Sequence, residues 1–160
     1  MKLRNKILLF IGLLFLLYIV VICGFNVGQK NIYNNNKKIA QQGDSHTYNK
    51  RTGNENSNDK IDWKYSGFSG DDTIWILKPK EDGEITINYD STVNNGNFKV
   101  VLTNTKKQEI KTILEGTGEG SETIKLLKEE YRIKIVGKNA EGNIKLSINE
   151  NKNVEITNKY

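Results

Sequence analysis

The sequence predicts an all-β fold: an antiparallel β-sandwich of about eight strands, preceded by one N-terminal transmembrane helix and a disordered linker. Three observations carry this. Apolar residues from Ile61 onward recur with period 2, turn-forming clusters separate the runs, and a long uncharged stretch opens the chain.

The alternation is clearest in four runs. Ile85, Ile87 and Tyr89 alternate in EITINY, and Phe98, Val100 and Leu102 in NFKVVLT. Tyr131, Ile133 and Ile135 alternate in YRIKIV, and Ile144, Leu146 and Ile148 in NIKLSI. Weaker runs are TIWIL (Ile74, Ile76), EIKTIL (Ile110, Thr112, Leu114) and ETIKLL (Ile124, Leu126), with WKYSGF as a further strand before Gly70. Successive side chains of a strand point to opposite faces, so this pattern suits strands with one buried and one solvated face. KPKEDG, NNG, EGTGEG and KNAEG supply the turns. No segment of this region has a sustained helical period.

The opening residues read differently. Lys2, Arg4 and Lys6 precede an uncharged run that reaches Phe25. Nineteen helical residues span roughly 28 Å, close to the hydrocarbon core of a bilayer. Residues 1–27 are therefore expected to be a signal-anchor, with the positive residues inside and the remainder extracytoplasmic. Cys23 keeps an alternative open. With Val20 and Val21 before it, the end of the run resembles the lipobox of bacterial lipoproteins, which would be acylated at Cys23. Ile22, where that pattern expects a small residue, departs from it. Ordinary cleavage is a third reading. Residues 28–60 are polar, with scattered Ile32, Tyr33, Ile39, Ala40 and Tyr48, and are expected to be a flexible linker. The folded domain is then residues 61–160.

The net charge of +5 in 160 residues invites a polyanion partner until it is divided by region. Residues 1–6 carry +3 and residues 28–60 another +3, while 61–160 hold 15 basic against 16 acidic residues. A nucleic-acid binder carries its charge on the folded surface, so that class is set aside. One Cys allows no internal disulfide and no Cys-based zinc site. The single His46 stands among polar residues as a solvated linker histidine, and no cofactor is implied.

Two constellations are candidate sites. If Ile74 and Ile76 face the core, Trp75 faces solvent by alternation, as a platform for stacking on a sugar ring or gripping a protein. Trp63 and Tyr65, two apart, share one face and would extend that patch; the bland alternative has them closing the core edge. Asp71 and Asp72, with Asp62 and Asp90, are weak calcium candidates without EF-hand spacing, against the reading of solvated turn carboxylates. No spacing singles out a catalytic carboxylate pair, so a non-catalytic protein is expected.

The segments from Trp63 to Asn104 and from Glu119 to Ile148 resemble small membrane-anchored β-sandwich proteins of low-GC Gram-positive bacteria. The resemblance runs through Phe68 and Gly70, Thr73 and Ile74, then Tyr89, Ser91, Val93 and Gly96. It continues through Tyr131, Ile133, Ile135, Gly137, Ala140 and Gly142. It is also similar to jelly-roll-like accessory domains of secreted hydrolases. That resemblance implies a jelly-roll-like sandwich and binding rather than chemistry. The expected partner is an envelope glycan or protein, and the rival is a structural subunit of a membrane complex.

Overall fold

Alternating apolar residues build the expected sheet, but in fewer and longer strands. The computed structural model describes residues 9–21 and 31–160, without the side chains of residues 55–57 and 150. The helices are α1 (9–21) and α2 (Asn36–Ile39). The strands are β1 (Ser45–Thr47), β2 (Lys50–Ser57), β3 (Lys60–Asn104), β4 (Glu109–Glu115), β5 (Gly118–Leu126) and β6 (Tyr131–Asn158). Every pairing is antiparallel.

β3 has 45 residues and β6 has 28. A straight strand of β3's length would run about 150 Å. Instead the ladder bends at register shifts, among them Thr73/Trp75, Pro79/Glu84 and Val93/Asn95. The KPKEDG and NNG signals thus appear as bends inside one bulged ribbon, which is why about eight expected strands become six.

The first arm of β6, residues 131–148, lies at the centre, between residues 60–77 of β3 on one side and 87–103 on the other. β5 and β4 flank the latter segment at 83–91 and 99–104. β2 and β1 flank the former at 60–66 and 69–71. The four strong runs bury their apolar residues in one core, with Tyr89 packed at its margin. Each such aliphatic side chain contributes roughly 1.5–3 kcal/mol. The class is all-β and antiparallel, consistent with a β-sandwich.

Residues 31–60 are not the expected spacer. Asn35 caps α2 by accepting from the Lys38 N–H (3.1 Å), and Ile39 packs with Ile32, Tyr33, Val101 and Val136 in a second cluster. Val101 and Val136 sit beside Val100 and Ile135, which face the main core. This part of the sheet is therefore covered on both faces. β1 and β2 are edge strands, held by backbone ladders rather than by apolar side chains. Polar composition concealed a folded segment.

Every residue of α1 is exposed and none is charged. Among the described residues no helix is long and apolar enough to cross a membrane. The remainder of the expected anchor, including Cys23, lies outside the described residues.

One close approach holds β1 in place. Gly70 has φ +107°, and a Cβ there would lie 1.9 Å from the Ser45 carbonyl oxygen. Gly70→Ala is expected to cost at least roughly 2 kcal/mol in urea unfolding, since strain and loss of the β1 contact add.

Candidate functional site

Trp75 does not form a surface platform. Its side chain is 0% exposed and packs in the main core with Ile74 and Leu77. The register shift between Thr73 and Trp75 reverses the phase of alternation, so Ile74 and Trp75 are both buried and Ile76 is half-exposed. Trp63 and Tyr65 are buried too. Arg51 of β2 lies over the Trp63 ring (4.4 Å to its centre) and over Tyr160 (4.3 Å). Tyr65 stacks on Phe98.

Asp71 and Asp72 are not solvated turn residues either. Asp72 accepts from Tyr48 Oη (2.9 Å), Arg51 (3.4 Å), Lys159 (3.3 Å) and Tyr160 Oη. Asp71 accepts from Lys134 Nζ (2.8 Å) and from the Ser45 N–H (3.2 Å). Asp44 accepts from Thr73 Oγ1 (2.8 Å), Lys134 Nζ (3.0 Å) and Lys159. Lys134 Nζ also donates to the carbonyls of Gln41 (2.8 Å) and Gly43 (3.1 Å).

Three carboxylates therefore face three cations in a buried cluster. The Lys134 ammonium occupies the position between Asp44 and Asp71 that a divalent cation would need. Among the described residues no group of His, Cys, Asp and Glu is arranged to hold a metal. His46 belongs to this cluster, with Nδ1 3.2 Å from the Asp71 carbonyl oxygen and its ring edge-on to Tyr48. It is not an isolated linker histidine.

The environments separate the acids. Burial raises the Asp71 carboxyl, against the pull of Lys134. Burial also acts to raise Asp44, but the hydrogen bond from Lys159 and the charge of Lys134 outweigh it and hold that acid low. Tyr48 is pushed far up by burial and by Asp72.

The open surface lies elsewhere. A groove of about 940 Å³ runs across the outward face of the sheet. Register places Asn54, Asp62, Lys145, Asp90 and Glu119 in one row across five strand segments. Lys60, Ser147, Asn88 and Ser121 form the next row. Strands about 4.8 Å apart make each row roughly 15–20 Å long. Lys145 Nζ lies 3.4 Å from Asp90 Oδ2, and both side chains remain about half exposed. Three acids and two lysines in the two rows leave a local charge of −1. Tyr89 belongs to this stretch of sheet, with its side chain packed at the margin of the core.

Alternation had assigned Asn88, Lys145 and Ser147 to the outward face, whereas Asn54 and Lys60 were expected in the linker and Glu119 in the EGTGEG turn. Which strands lie side by side, and hence that Asp62 and Asp90 flank Lys145, follows only from the register.

Neither a protein family nor a curated protein matches the chain. Among solved structures it is similar to the CBM22-1 xylan-binding domain of Xyn10C from Paenibacillus barcinonensis. The TM-score is 0.31 at 6% identity, over 74% of this chain and 83% of that one. It is also similar to a family two carbohydrate esterase from Cellvibrio japonicus, with a TM-score of 0.29 at 12% identity. That match covers 71% of this chain but 33% of the esterase, so the chain spans about a third of that protein's length. At these scores neither likeness bears on activity.

Proposed function

We propose that the chain is a non-catalytic, membrane-held module displayed outside the cytoplasm, which binds an envelope polysaccharide along the polar groove. The groove itself carries the reading. Two parallel rows of Asp, Asn, Ser and Lys offer hydrogen-bond donors and acceptors over a length that suits several sugar rings. A jelly-roll-like arrangement, as the sequence resemblance implies, presents such a sheet face to solvent. The anchor rests on α1, whose uncharged side chains are exposed on every side. A helix apolar all round suits a lipid environment. The basic residues before it favour an inside N-terminus.

The test is a titration of the full chain in detergent micelles with soluble wall-polysaccharide fragments, followed by backbone amide NMR. Saturable shifts are expected at Asn88, Ser121, Lys145 and Ser147. Lys145→Ala and Asp90→Ala are each expected to weaken binding about tenfold, the scale of one charge-assisted hydrogen bond. A silent groove on a folded chain would remove the glycan reading and favour packing against an envelope protein.

A further inference from the structure

Lys134 is the least expected buried residue of the chain. Alternation in YRIKIV turns it away from Ile133 and Ile135, towards the face that a half-solvated strand leaves to water. Its side chain is nevertheless 0% exposed, because residues 41–45 cover that face and close over Nζ. Nζ lies 2.8 Å from Asp71 Oδ2 and 3.0 Å from Asp44 Oδ1, and both carboxylates are almost fully buried. Lys134 pairs directly with Thr73, so Asp71 is its diagonal neighbour across the ladder.

We propose that Lys134 and Asp71 condense into an intramolecular amide, with Asp44 as the group that moves the proton. The geometry supplies each requirement. Nζ sits against one oxygen of the Asp71 carboxyl, Oδ2, close to the carbon it would attack. The other oxygen, Oδ1, accepts the Ser45 backbone N–H at 3.2 Å, a donor placed where negative charge develops on addition. The Thr73 hydroxyl fixes Asp44 Oδ1 at 2.8 Å, and Lys159 holds its other oxygen. Two neighbouring acids with opposite tendencies fit the division of labour: burial raises Asp71, while Lys159 and Lys134 keep Asp44 ionised.

The step balances without a co-reactant. A proton passes from the Lys134 ammonium to the Asp71 carboxylate, converting the ion pair into an amine and a carboxylic acid. The exchange is eased at Asp71 by burial, which favours its neutral carboxyl. The amine lone pair adds to Cγ of Asp71. Asp44 takes a proton from the attacking nitrogen and returns it to the departing hydroxyl. One C–N bond forms, one C–O bond breaks, and water leaves. Nothing is oxidised or reduced. Holding amine and acid in contact gives effective molarities on the order of 10⁵ M or more, and exclusion of solvent opposes hydrolysis of the product. The amide would join β3 to β6 across 63 residues of sequence. It would staple the central pair of strand segments.

The full chain, purified from membranes and denatured, tests this by mass. It is expected to be lighter than its sequence by one water. Trypsin should then fail to cut after Lys134 and release residues 133–138 joined to residues 65–80. Residues 65–80, 133–134 and 135–138 released as three separate peptides at their full masses, from a chain shown to be folded before digestion, would overturn the proposal. A cross-link mapped to other residues would also overturn it. Asp44→Asn keeps both reacting groups and is expected to slow cross-linking at least tenfold. Cross-linking of that variant at the normal rate would remove Asp44 from the step.

Discussion

Trp75→Ala is expected to lower the stability of the protein by about 3–5 kcal/mol, the usual cost of deleting a fully buried large aromatic side chain. The ring is 0% exposed, between Ile74 and Leu77 in the main core, and its removal leaves a cavity that a bulged strand cannot readily close. Urea unfolding should show the loss as a lower midpoint with little change in slope. Trp75→Phe should cost less. It keeps most of the apolar volume and removes an indole N–H that has no hydrogen-bond partner among the described residues. Below its lowered midpoint the Ala variant should still bind whatever the polar groove binds, because no groove residue is altered. The opposite result, unchanged stability with lost binding, would restore Trp75 as a surface platform.

Trp75 also shows where the sequence stops being legible. The period-2 runs at 85–89, 98–102, 131–135 and 144–148 identify the core because each face decision there is local. A bulge is a pairing event between two strands. The one between Thr73 and Trp75 shifts the phase without any mark in TIWIL. Residues 31–60 were concealed for a related reason. Ile32, Tyr33 and Ile39 have no period of their own, since they fill gaps over Val101 and Val136 instead of forming a face.

A signal for that cover was present in the paired apolar residues Val100–Val101 and Ile135–Val136, which a strand with one solvated face does not require. Asp71 and Asp72 were misjudged, and the burial of Lys134 was missed, because the segment that buries them lies far from them in the chain. The groove stands between these cases. Asn88, Lys145 and Ser147 were readable as outward, but Asn54 and Lys60 fell in the expected linker, and assembly of the rows depends on long-range register.

Alkaline unfolding should be steeper than acid unfolding, and the sign follows from the tyrosines. Burial raises Tyr48, Tyr65, Tyr33 and Tyr160 well above their ordinary value, helped by Asp72 at Tyr48 and Tyr160 and by Glu115 at Tyr33. A group whose folded pKa is raised contributes stability that is fully present below its unfolded value and lost as pH climbs beyond it. The unfolded chain releases these protons near pH 10 while the folded chain retains them, so stability falls with pH from there upward. Tyr48 and Tyr65 alone should contribute a slope of about 3 kcal/mol per pH unit. Lys159, raised by its hydrogen bonds and charges at Asp44 and Asp72 despite burial, acts in the same direction.

On the acid side, Asp44 is held low and loses its contribution as pH falls through the carboxylate range. Asp71 is raised and opposes that loss. Urea midpoints between pH 7 and 11, read with tyrosinate absorbance, should show ionisation and unfolding rising together. Tyrosines that titrate near pH 10 in a chain still folded would contradict this account. Neither Lys134 nor Asp71 enters the alkaline argument, so the expectation stands whether or not an amide joins them.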